Sequence, residues 1–458
     1  MLFAGCARER ERPPDLVLVV LDTLRVDQTS LEGGPAATPF LESFAAGGTR
    51  FTKAYSTSCW TLPAHASMFT GALPDTHGAD QMRSRVLGEL PLLAERLAAA
   101  GYQTAGFTRN PWISERTGLQ RGFESFHELW PIPGQPDVRD GRHRVLVDLE
   151  RWLPQERDPS RPLFLFVNLI KAHAPYRPNE RWAANHFEED ELWREAMERW
   201  STGPRDLIDR VYGHSDPLDA AEQAEVRALY AAGVEHTDDI VRRVFELVDA
   251  ACDPAHTLAL IVSDHGENLG DRGHVSHMFE LNEALTHVLC LARGPGFAAG
   301  AVDPRPVQLQ DVSATFLEAA GLPGATPVSR DLAGPADLER VLLSRIAWPR
   351  TWLGNFPPEL RADPQFTPLL RELWAAQDQR YKLVVEQDGS ERLYDLSLQR
   401  VDGDEVEVEV SSVPEARLAR LRDAVAASRA RGELLQDVGE EMLDHEQLEA
   451  LRALGYAR

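Results

Sequence analysis

The sequence predicts an α/β protein built on a doubly wound, mostly parallel sheet flanked by helices, with a smaller α+β domain at its C-terminal end. Three nearly continuous apolar runs, at residues 15–21, 163–170 and 257–262, are typical of strands buried on both faces of a parallel sheet. Helical patterns lie between these runs. Alternation of this kind favours parallel strands joined by crossover helices.

Weaker patterns add further elements to the same sheet. Residues 104–107 form a shorter apolar run, which we expect to be a fourth strand. Residues 90–100 and 241–251 show the apolar spacing of helices.

The C-terminal part carries hairpin and helix signals. Residues 381–386 and 392–396 flank an Asp-Gly pair, which is typical of a tight hairpin turn. Residues 414–431 form an amphipathic pattern and are predicted to be a helix that ends at Gly432. Together these signals predict a small α+β unit.

Length and composition suggest how the chain is divided. Its 458 residues exceed one small domain, and the stretch at 323–335, rich in proline, glycine and small residues, is typical of a linker. We expect a tail at 1–12, a main domain at 13–335 and a C-terminal α+β subdomain at 336–458. Within the main domain, the polar, acidic segment 179–222 is predicted to be a helical insertion.

Charge limits the classes of partner. The net charge is −24 and the isoelectric point is near 5.0, which argues against nucleic acid and anionic membrane surfaces as partners. An anionic substrate stays open, because a bound metal ion reverses the local field. We find no apolar run long enough to cross a bilayer. The sequence leaves the oligomeric state open.

The N-terminal residues bear on localisation. Residues 2–6, which end at Cys6, resemble the end of a bacterial lipoprotein signal, although the charged and apolar regions that precede such a site are missing. If Cys6 belongs to a truncated lipobox, we expect a periplasmic or membrane-anchored lipoprotein. Otherwise we expect a cytoplasmic protein.

Chemically active side chains follow the three apolar runs. Asp22 follows the first run, His173 lies shortly after the second, and Asp264 and His265 follow the third. In open α/β sheets, ligands bind beyond the carboxyl ends of the strands. Three strands therefore bring metal-ligand or acid–base side chains to one edge.

The loop at residues 263–277 is dense in such side chains. It holds three carboxylates, three histidines and three glycines. Carboxylate and neutral imidazole are ligands for divalent cations, and glycine lets the backbone approach a ligand closely. A polar surface loop is the alternative, but its position directly after a buried strand favours a site.

Thr61 is a candidate nucleophile at the start of a helix. Pro63 suits a first helical turn and Gly71 suits a helix C-terminus. Thr61 would lie at or just before the N-cap, where unpaired N–H groups and the helix dipole favour an anion. The alternative is an ordinary threonine cap.

Taken in order, these motifs resemble the sulfatase family, within the alkaline phosphatase superfamily. The resemblance implies an alkaline-phosphatase-like fold. The resemblance extends over most of the chain. Each matching segment is weak evidence alone, but the segments occur in the order that is typical of the family. The matching segments are residues 22–27, 61–71, 73–74, 77–78, 101–104, 118–123, 173–176, 263–267 and 448–456.

The resemblance implies a metal site. Asp22, Asp264 and His265 would bind one divalent metal ion, Ca²⁺, Mg²⁺, Mn²⁺ or Zn²⁺. The hydroxyl of Thr61, the implied catalytic nucleophile, would reach the same ion.

The resemblance also implies roles around the substrate. His173 would hold a non-bridging oxygen of the transferred group, and His277 would stabilise that group or protonate the leaving oxygen. His65 stands where typical sulfatases have an arginine after the nucleophile, and we count it among the catalytic residues. Asn110 or Arg109 would line the substrate pocket.

The sequence departs from the family pattern at the nucleophile. Typical sulfatases carry C-x-P-x-R, whose cysteine becomes formylglycine, whereas Thr61, Pro63 and His65 stand here. We therefore expect no formylglycine. Cys59 lies two residues upstream without the matching proline. Thr23 replaces the second of two adjacent metal-binding aspartates, which removes one ligand.

These observations favour a metal-dependent hydrolase that cleaves a sulfate or phosphate ester through a covalent intermediate on Thr61. A threonine ester has no second hydroxyl from which sulfate can be eliminated, which favours phosphoryl chemistry. The expected substrate is an anionic small molecule, a glycan ester or a lipid head-group ester. One alternative is a transferase that passes a phospho-substituent to an acceptor alcohol. Another is a non-catalytic protein that binds an anion.

Overall fold

The computed structural model describes residues 12–80, 85–86, 88, 90–130, 138–139, 142–200, 207–213, 216–277, 279–347, 366, 369–398 and 405–435. The Cys6 segment and the C-terminal motif at 448–456 lie outside these ranges. Within them, every helix is too short or too polar to cross a membrane.

The strands are numbered in chain order. The first eight are β1 (Asp15–Leu21), β2 (Thr49–Tyr55), β3 (Gln103–Thr108), β4 (Ser125–Glu128), β5 (Val138–Arg139), β6 (Arg142–His143), β7 (Leu163–Leu169) and β8 (Thr257–Ser263). The others are β9 (Asn268–Leu269), β10 (Val275–Ser276), β11 (Cys290–Arg293), β12 (Ala301–Gln308), β13 (Leu342–Ile346), β14 (Leu373–Gln377), β15 (Tyr381–Glu386), β16 (Glu391–Asp395) and β17 (Val406–Glu407).

An eight-stranded sheet runs through the described residues in the order β12-β2-β11-β8-β1-β7-β3-β4. All neighbouring strands pair in parallel except β11, which is antiparallel to both β2 and β8. The central strands β1, β7 and β8 are buried along their whole length, because helices cover the sheet and exclude water from it. The predicted mostly parallel sheet is confirmed.

The helices are also numbered in chain order. They are α1 (Pro39–Ala46), α2 (Thr61–Thr70), α3 (Pro74–His77), α4 (Leu93–Ala99), α5 (Arg144–Glu156), α6 (Glu180–Ala183), α7 (Asp190–Trp200), α8 (Ala220–Ala251), α9 (Glu283–Thr286), α10 (Asp311–Ala319) and α11 (Glu415–Leu435).

Two helices differ from the sequence prediction. The pattern at 241–251 is only the last part of α8, which begins at a capping box formed by Asp219 and Glu222. Helix α11 continues past Gly432 to Leu435, so the predicted end at Gly432 is wrong. A Cβ at Gly432 would lie 2.9 Å from Nη1 of Arg345. The glycine therefore admits the Arg345 guanidinium against the helix and does not terminate it.

The C-terminal part forms a separate five-stranded sheet in the order β13-β14-β15-β16-β17, and all its neighbours are antiparallel. The hairpin between β15 and β16 turns at Gly389, whose φ of 90° favours glycine. Helix α11 packs against β14 and β15. This is the small antiparallel α+β unit that the sequence predicts.

Five parallel strands end at one edge of the large sheet. Asp22, Asn110, His173 and Asp264 follow β1, β3, β7 and β8 within a few residues. Strand β2 leads into α2, which begins at Thr61. The fold thus collects at one edge side chains that lie far apart in sequence.

Candidate active site

Asp22 and Asp264 lie side by side because their strands are paired in register, with Leu21 opposite Ser263. Both carboxylates are buried. Oδ1 of Asp264 accepts hydrogen bonds from the backbone N–H groups of Thr23, at 3.1 Å, and of His265, at 2.9 Å. Its Oδ2 has no hydrogen-bond partner in the described part of the chain.

Asp22 shows the same division between its two oxygens. Its Oδ2 accepts from Nδ2 of Asn110 at 2.8 Å and from Nδ2 of Asn168 at 3.3 Å. Its Oδ1 is buried and has no partner among the described residues. Each aspartate therefore offers one unsatisfied buried oxygen, which is costly unless a cation or donor occupies the space between them.

His265 completes a set of metal-ligand atoms. Its Nδ1–H donates to the carbonyl of Gly266 at 2.9 Å, which leaves the lone pair of Nε2 available. One ligand atom from each of Asp22, Asp264 and His265 lies within 4.8 Å of the others. Burial and the nearby Asp22 raise the pKa of Asp264, as expected for two carboxylates crowded together without a cation. These residues fit a divalent metal ion.

Thr61 faces this set from the start of α2. Its Oγ1 accepts a hydrogen bond from Nδ2 of Asn110 at 3.0 Å and lies 3.4 Å from Nε2 of His265. Trp60 is the N-cap residue, because its backbone is still extended. Thr61 is therefore the first helical residue, one position later than predicted. Its side chain points towards the carboxylate site and does not cap the helix.

Thr23 holds the loop after β1 in an unusual conformation. Its φ is 57°, a left-handed conformation that costs a β-branched residue about 1–2 kcal/mol. Its hydroxyl donates to the carbonyl of Asp22 at 2.7 Å, and its carbonyl accepts from the hydroxyl of Tyr230 at 2.6 Å. The Thr23 hydroxyl thus faces the backbone and does not replace the missing carboxylate.

His173 and His277 lie on the other side of the site. Their ring centroids are 5.1 Å apart, and His277 is 4.5 Å from the ring of His265. Nδ1 of His277 lies 3.0 Å from Oε1 of Glu267, and Nδ1 of His173 is hydrogen-bonded to the carbonyl of Ala174. Burial raises the pKa of Glu267 to about 8. Three of the predicted histidines, His173, His265 and His277, are thus brought to the region of Thr61.

His65 lies one turn along α2 from Thr61. Burial lowers its pKa to about 3, so its imidazole is neutral at neutral pH. Its Nδ1–H donates to the carbonyl of Thr61 at 3.0 Å, and Nδ1 lies 3.6 Å from Oδ2 of Asp264. The ring of His65 meets the ring of Phe166 edge-on. This position suits a group that supports the Thr61 backbone.

Asn110 and Arg109, the two residues predicted to line the substrate pocket, make different contacts. Asn110 bonds to Thr61 and Asp22, whereas Nη1 of the buried Arg109 donates to the carbonyl of Leu129. Of these two candidates, Asn110 is the one with a hydrogen bond to Thr61 among the described contacts. Cys59 is fully buried and its pKa is raised by that burial, which makes it a poor candidate for any reaction.

Sequence reasoning missed Asn168 and Glu267 as members of the site. Asn168 lies inside the apolar run that became β7, where a single amide carries no signal of its own. Glu267 is one of the three carboxylates of the loop after β8, but the sequence alone assigns it no role. Its contact with His277 depends on how that loop folds back.

Comparison with known proteins gives a consistent result. The sequence profile of the family described as Sulfatase matches residues 14–322. Human arylsulfatase K is 25% identical over 361 residues, which cover 70% of this chain and 66% of that protein. The chain thus spans just under two thirds of that relative's length.

Two solved structures are similar throughout. The phosphonate monoester hydrolase of Agrobacterium radiobacter has a TM-score of 0.68 and 18% identity, with 92% of this chain and 96% of that chain covered. A structure solved with its substrate D-glucosamine-2-N,6-O-disulfate has a TM-score of 0.68 and 17% identity, covering 93% and 99%. The alkaline-phosphatase-like architecture is therefore confirmed. These relatives are ester hydrolases, and the chain belongs to the sulfatase family.

Proposed function

We propose that this chain is a metal-dependent hydrolase that cleaves a sulfate or phosphate ester through a covalent intermediate on Thr61. One observation carries the proposal. Oγ1 of Thr61 lies at the first residue of a helix, accepts a hydrogen bond from Asn110, and faces two buried carboxylates that each have an unsatisfied oxygen. The named relatives act on both sulfate and phosphonate esters, so either anion class suits the proposal.

Asp22, Asp264 and His265 would hold the metal ion, with the Thr61 hydroxyl beside it. When bound, a divalent cation lowers the pKa of a nearby hydroxyl and stabilises negative charge on the transferred group. Asn110 and Asn168 fix the orientation of the Asp22 carboxylate.

The residues of the chain suggest a two-step reaction. Oγ1 of Thr61 gives up its proton to solvent, attacks sulfur or phosphorus and forms a Thr61 ester, while the bond to the alcohol oxygen breaks and that oxygen takes up a proton. Nδ2 of Asn110 and the N-terminus of α2 stabilise negative charge on the attacking oxygen.

His173 and His277 face the transferred group in this proposal. His173 would hold a non-bridging oxygen, and His277, oriented by Glu267, would protonate the leaving oxygen. Water then attacks sulfur or phosphorus, which releases the inorganic or substituted anion and restores the Thr61 hydroxyl.

Turnover of aryl esters tests the proposal. Aryl sulfate, phosphate, phosphodiester and phosphonate esters are assayed with Mn²⁺, Mg²⁺, Ca²⁺ or Zn²⁺ added. We expect one class to be hydrolysed, a loss of at least about a thousandfold in kcat for Thr61→Ala, and partial activity for the matched Thr61→Ser variant. If the activity of Thr61→Ala were unchanged, Thr61 would not be the nucleophile.

The same assay separates the alternatives. Product release without an added alcohol supports a hydrolase, whereas turnover that depends on an acceptor alcohol indicates a transferase. Binding of an anion without turnover of any ester under any metal would leave a non-catalytic protein. Retained activity in the double variant Asp264→Ala/His265→Ala would contradict the metal site.

A further inference from the structure

A group of basic side chains lies beside the candidate active site, at the ends of neighbouring strands. Arg109 directly precedes Asn110 after β3, and Lys171 lies two residues before His173 after β7. Strands β3 and β7 are parallel neighbours, and the backbone N–H of Arg109 donates to Oδ1 of Asn168. The two basic residues therefore share the edge that carries the nucleophile.

Two buried histidines complete this group, which we call the basic cluster: Arg109, His143, Lys171 and His236. His143 is the N-cap residue of α5 and makes no side-chain cap bond. His236 lies on α8 one turn after Gly233, where a Cβ would be 3.0 Å from the carbonyl oxygen of Lys171. Helices α5 and α8 pack against each other.

Both histidines have an unsatisfied nitrogen. His143 is 6% exposed and His236 is 8% exposed, and Nδ1 of each has no hydrogen-bond partner within the described ranges. The unpaired first N–H groups of α5, a helix of 13 residues, follow directly after His143. Two cationic side chains and a helix N-terminus, beside two buried ring nitrogens that have no partner, together form an environment that suits an anion.

The charges of the cluster oppose one another. Burial, then Arg109 and Arg177, lowers the pKa of Lys171 to about 8. Burial, then Arg109, Lys171 and His236, lowers the pKa of His143. Burial and then Arg144 lower the pKa of Arg109 to about 9. Burial and then Lys171 lower the pKa of His236 to about 3, and Asp239 acts in the opposite direction. In a chain of net charge −24, Arg109 and Lys171 thus place two cationic groups at the sheet edge that carries the nucleophile.

We infer that the basic cluster is a second anion subsite, which binds a second anionic group carried by the same ester substrate. The group is a carboxylate, sulfate or phosphate. One substrate can reach both the Thr61 site and the basic cluster, because residues of the two sites are close neighbours in the chain. Arg109 directly precedes Asn110, and Lys171 lies two residues before His173. The inference rests on the proposed ester-binding role of the Thr61 site and narrows the substrate to esters with two anionic groups.

Binding of two matched product analogues tests the inference without requiring turnover. Isothermal titration calorimetry with Mn²⁺ present measures the Kd of phenylphosphonate and of 4-carboxyphenylphosphonate. We expect the carboxylated ligand to bind at least tenfold more tightly to the wild-type protein. Lys171→Met should abolish this advantage while phenylphosphonate still binds. Arg194→Met, a change at an exposed arginine on α7, should preserve it.

Several results would overturn the inference. Equal affinity of the two ligands for the wild-type protein would do so, as would an advantage that survives in Lys171→Met. Added acetate that improves phenylphosphonate binding as much as the attached carboxylate does would make the cluster a site for free anions. If neither phosphonate binds, the proposed Thr61 site fails and the inference falls with it.

A second variant covers the case in which Lys171→Met does not fold, as judged by circular dichroism. Arg177 is exposed and lowers the pKa of Lys171, so Arg177→Met changes the charge of the cluster from outside the core. We expect at least a threefold loss of the carboxylate advantage. An unchanged advantage would count against the subsite.

Discussion

Asn110 joins the two halves of the site, because one amide nitrogen donates to both Oδ2 of Asp22 and Oγ1 of Thr61. We expect Asn110→Ala to lower kcat by about a hundredfold with little change in KM, since a donor to the reacting oxygen acts mainly in the transition state. Steady-state kinetics on the best aryl ester measures both constants.

Asn168 provides the matched control for Asn110. It also donates to Asp22 but makes no bond to Thr61. Asn168→Ala should cost less than about tenfold in kcat. If the two variants lose the same activity, the effect passes through Asp22, and the bond from Asn110 to Thr61 has no catalytic value.

At the residue scale, the sequence predicted the position of those site residues that lie next to a strong local pattern, such as a buried strand or the start of a helix. Thr61, Asp22 and Asp264 directly follow a buried run or begin a helix, so their placement at the sheet edge could be predicted. The hydrogen bonds of Asn110 could not, because they join residues 49 and 88 positions apart. Only the packing of β3 beside β7, which in turn pairs with β1, decides which amide reaches the nucleophile.

The helices around the nucleophile are tied to the C-terminal helix at one buried carboxylate. Oδ2 of Asp75, on α3, accepts from Oγ of Ser428 at 2.6 Å and from Nη2 of Arg431 at 2.8 Å. Asp75 is buried, whereas the Arg431 side chain is 39% exposed. The contact links α11 to the element that follows the nucleophile helix.

Removing either donor should destabilise the protein unequally. We expect Ser428→Ala to lower the free energy of unfolding by about 1–2 kcal/mol, because it leaves a buried carboxylate oxygen with one donor fewer. Arg431→Met should cost less than about 1 kcal/mol, since that ion pair is partly exposed to solvent. Urea denaturation measures both. The reverse order would mean that the ion pair dominates the contact.

At the scale of elements, predictability followed the burial of each strand. Strands β1, β7 and β8 are buried on both faces, so their apolar runs marked them within a residue or two. Strand β2 has mixed burial and a mixed sequence, which gives no clear signal alone. Yet β2 positions α2 at the shared edge. The tertiary neighbours of a strand, and not its composition, fix such an element.

For the whole molecule, buried neutral histidines link folding to pH. Burial lowers the pKa of His77 to about 3, and its Nδ1 accepts from the backbone N–H of Ala79. The unfolded chain binds a proton near pH 6.5, whereas the folded chain does not do so until about pH 3. His77 therefore makes no pH-dependent contribution above about pH 6.5, and it lowers the free energy of unfolding as the pH falls towards 3.

His77→Gln isolates that contribution. Between about pH 5.5 and 4.5, the variant should lose stability less steeply than the wild-type protein, by about 1.4 kcal/mol per pH unit, which corresponds to one proton. Urea denaturation at pH 7.5, 5.5 and 4.5 gives the slopes. An unchanged slope would show that the pKa of His77 in the folded state is close to its ordinary value.

A buried charge joins the C-terminal sheet to α9, the short helix that precedes β11 of the large sheet. Nζ of Lys382, on β15, donates to Oε1 of Glu283 and to Oγ1 of Thr286, both at 3.0 Å, and lies 3.8 Å from Oε1 of Glu405. Lys382 is fully buried. The ammonium group thus lies against two buried carboxylates, and Nη2 of Arg272 lies 3.8 Å from Oε2 of the second one, Glu405.

Lys382→Met should therefore lower the free energy of unfolding by about 3–5 kcal/mol, because the buried Glu283 loses its counter-charge, whereas Glu405 keeps Arg272 at 3.8 Å. The double variant Lys382→Met/Glu283→Gln should recover part of that loss, since one of the two negative charges is then removed. Arg380→Met breaks a half-exposed ion pair on the same hairpin and should cost less than about 1 kcal/mol. Urea denaturation followed by tryptophan fluorescence gives all three values. A loss in Lys382→Met no larger than that in Arg380→Met would mean that apolar packing, and not this buried charge, holds the C-terminal sheet against α9.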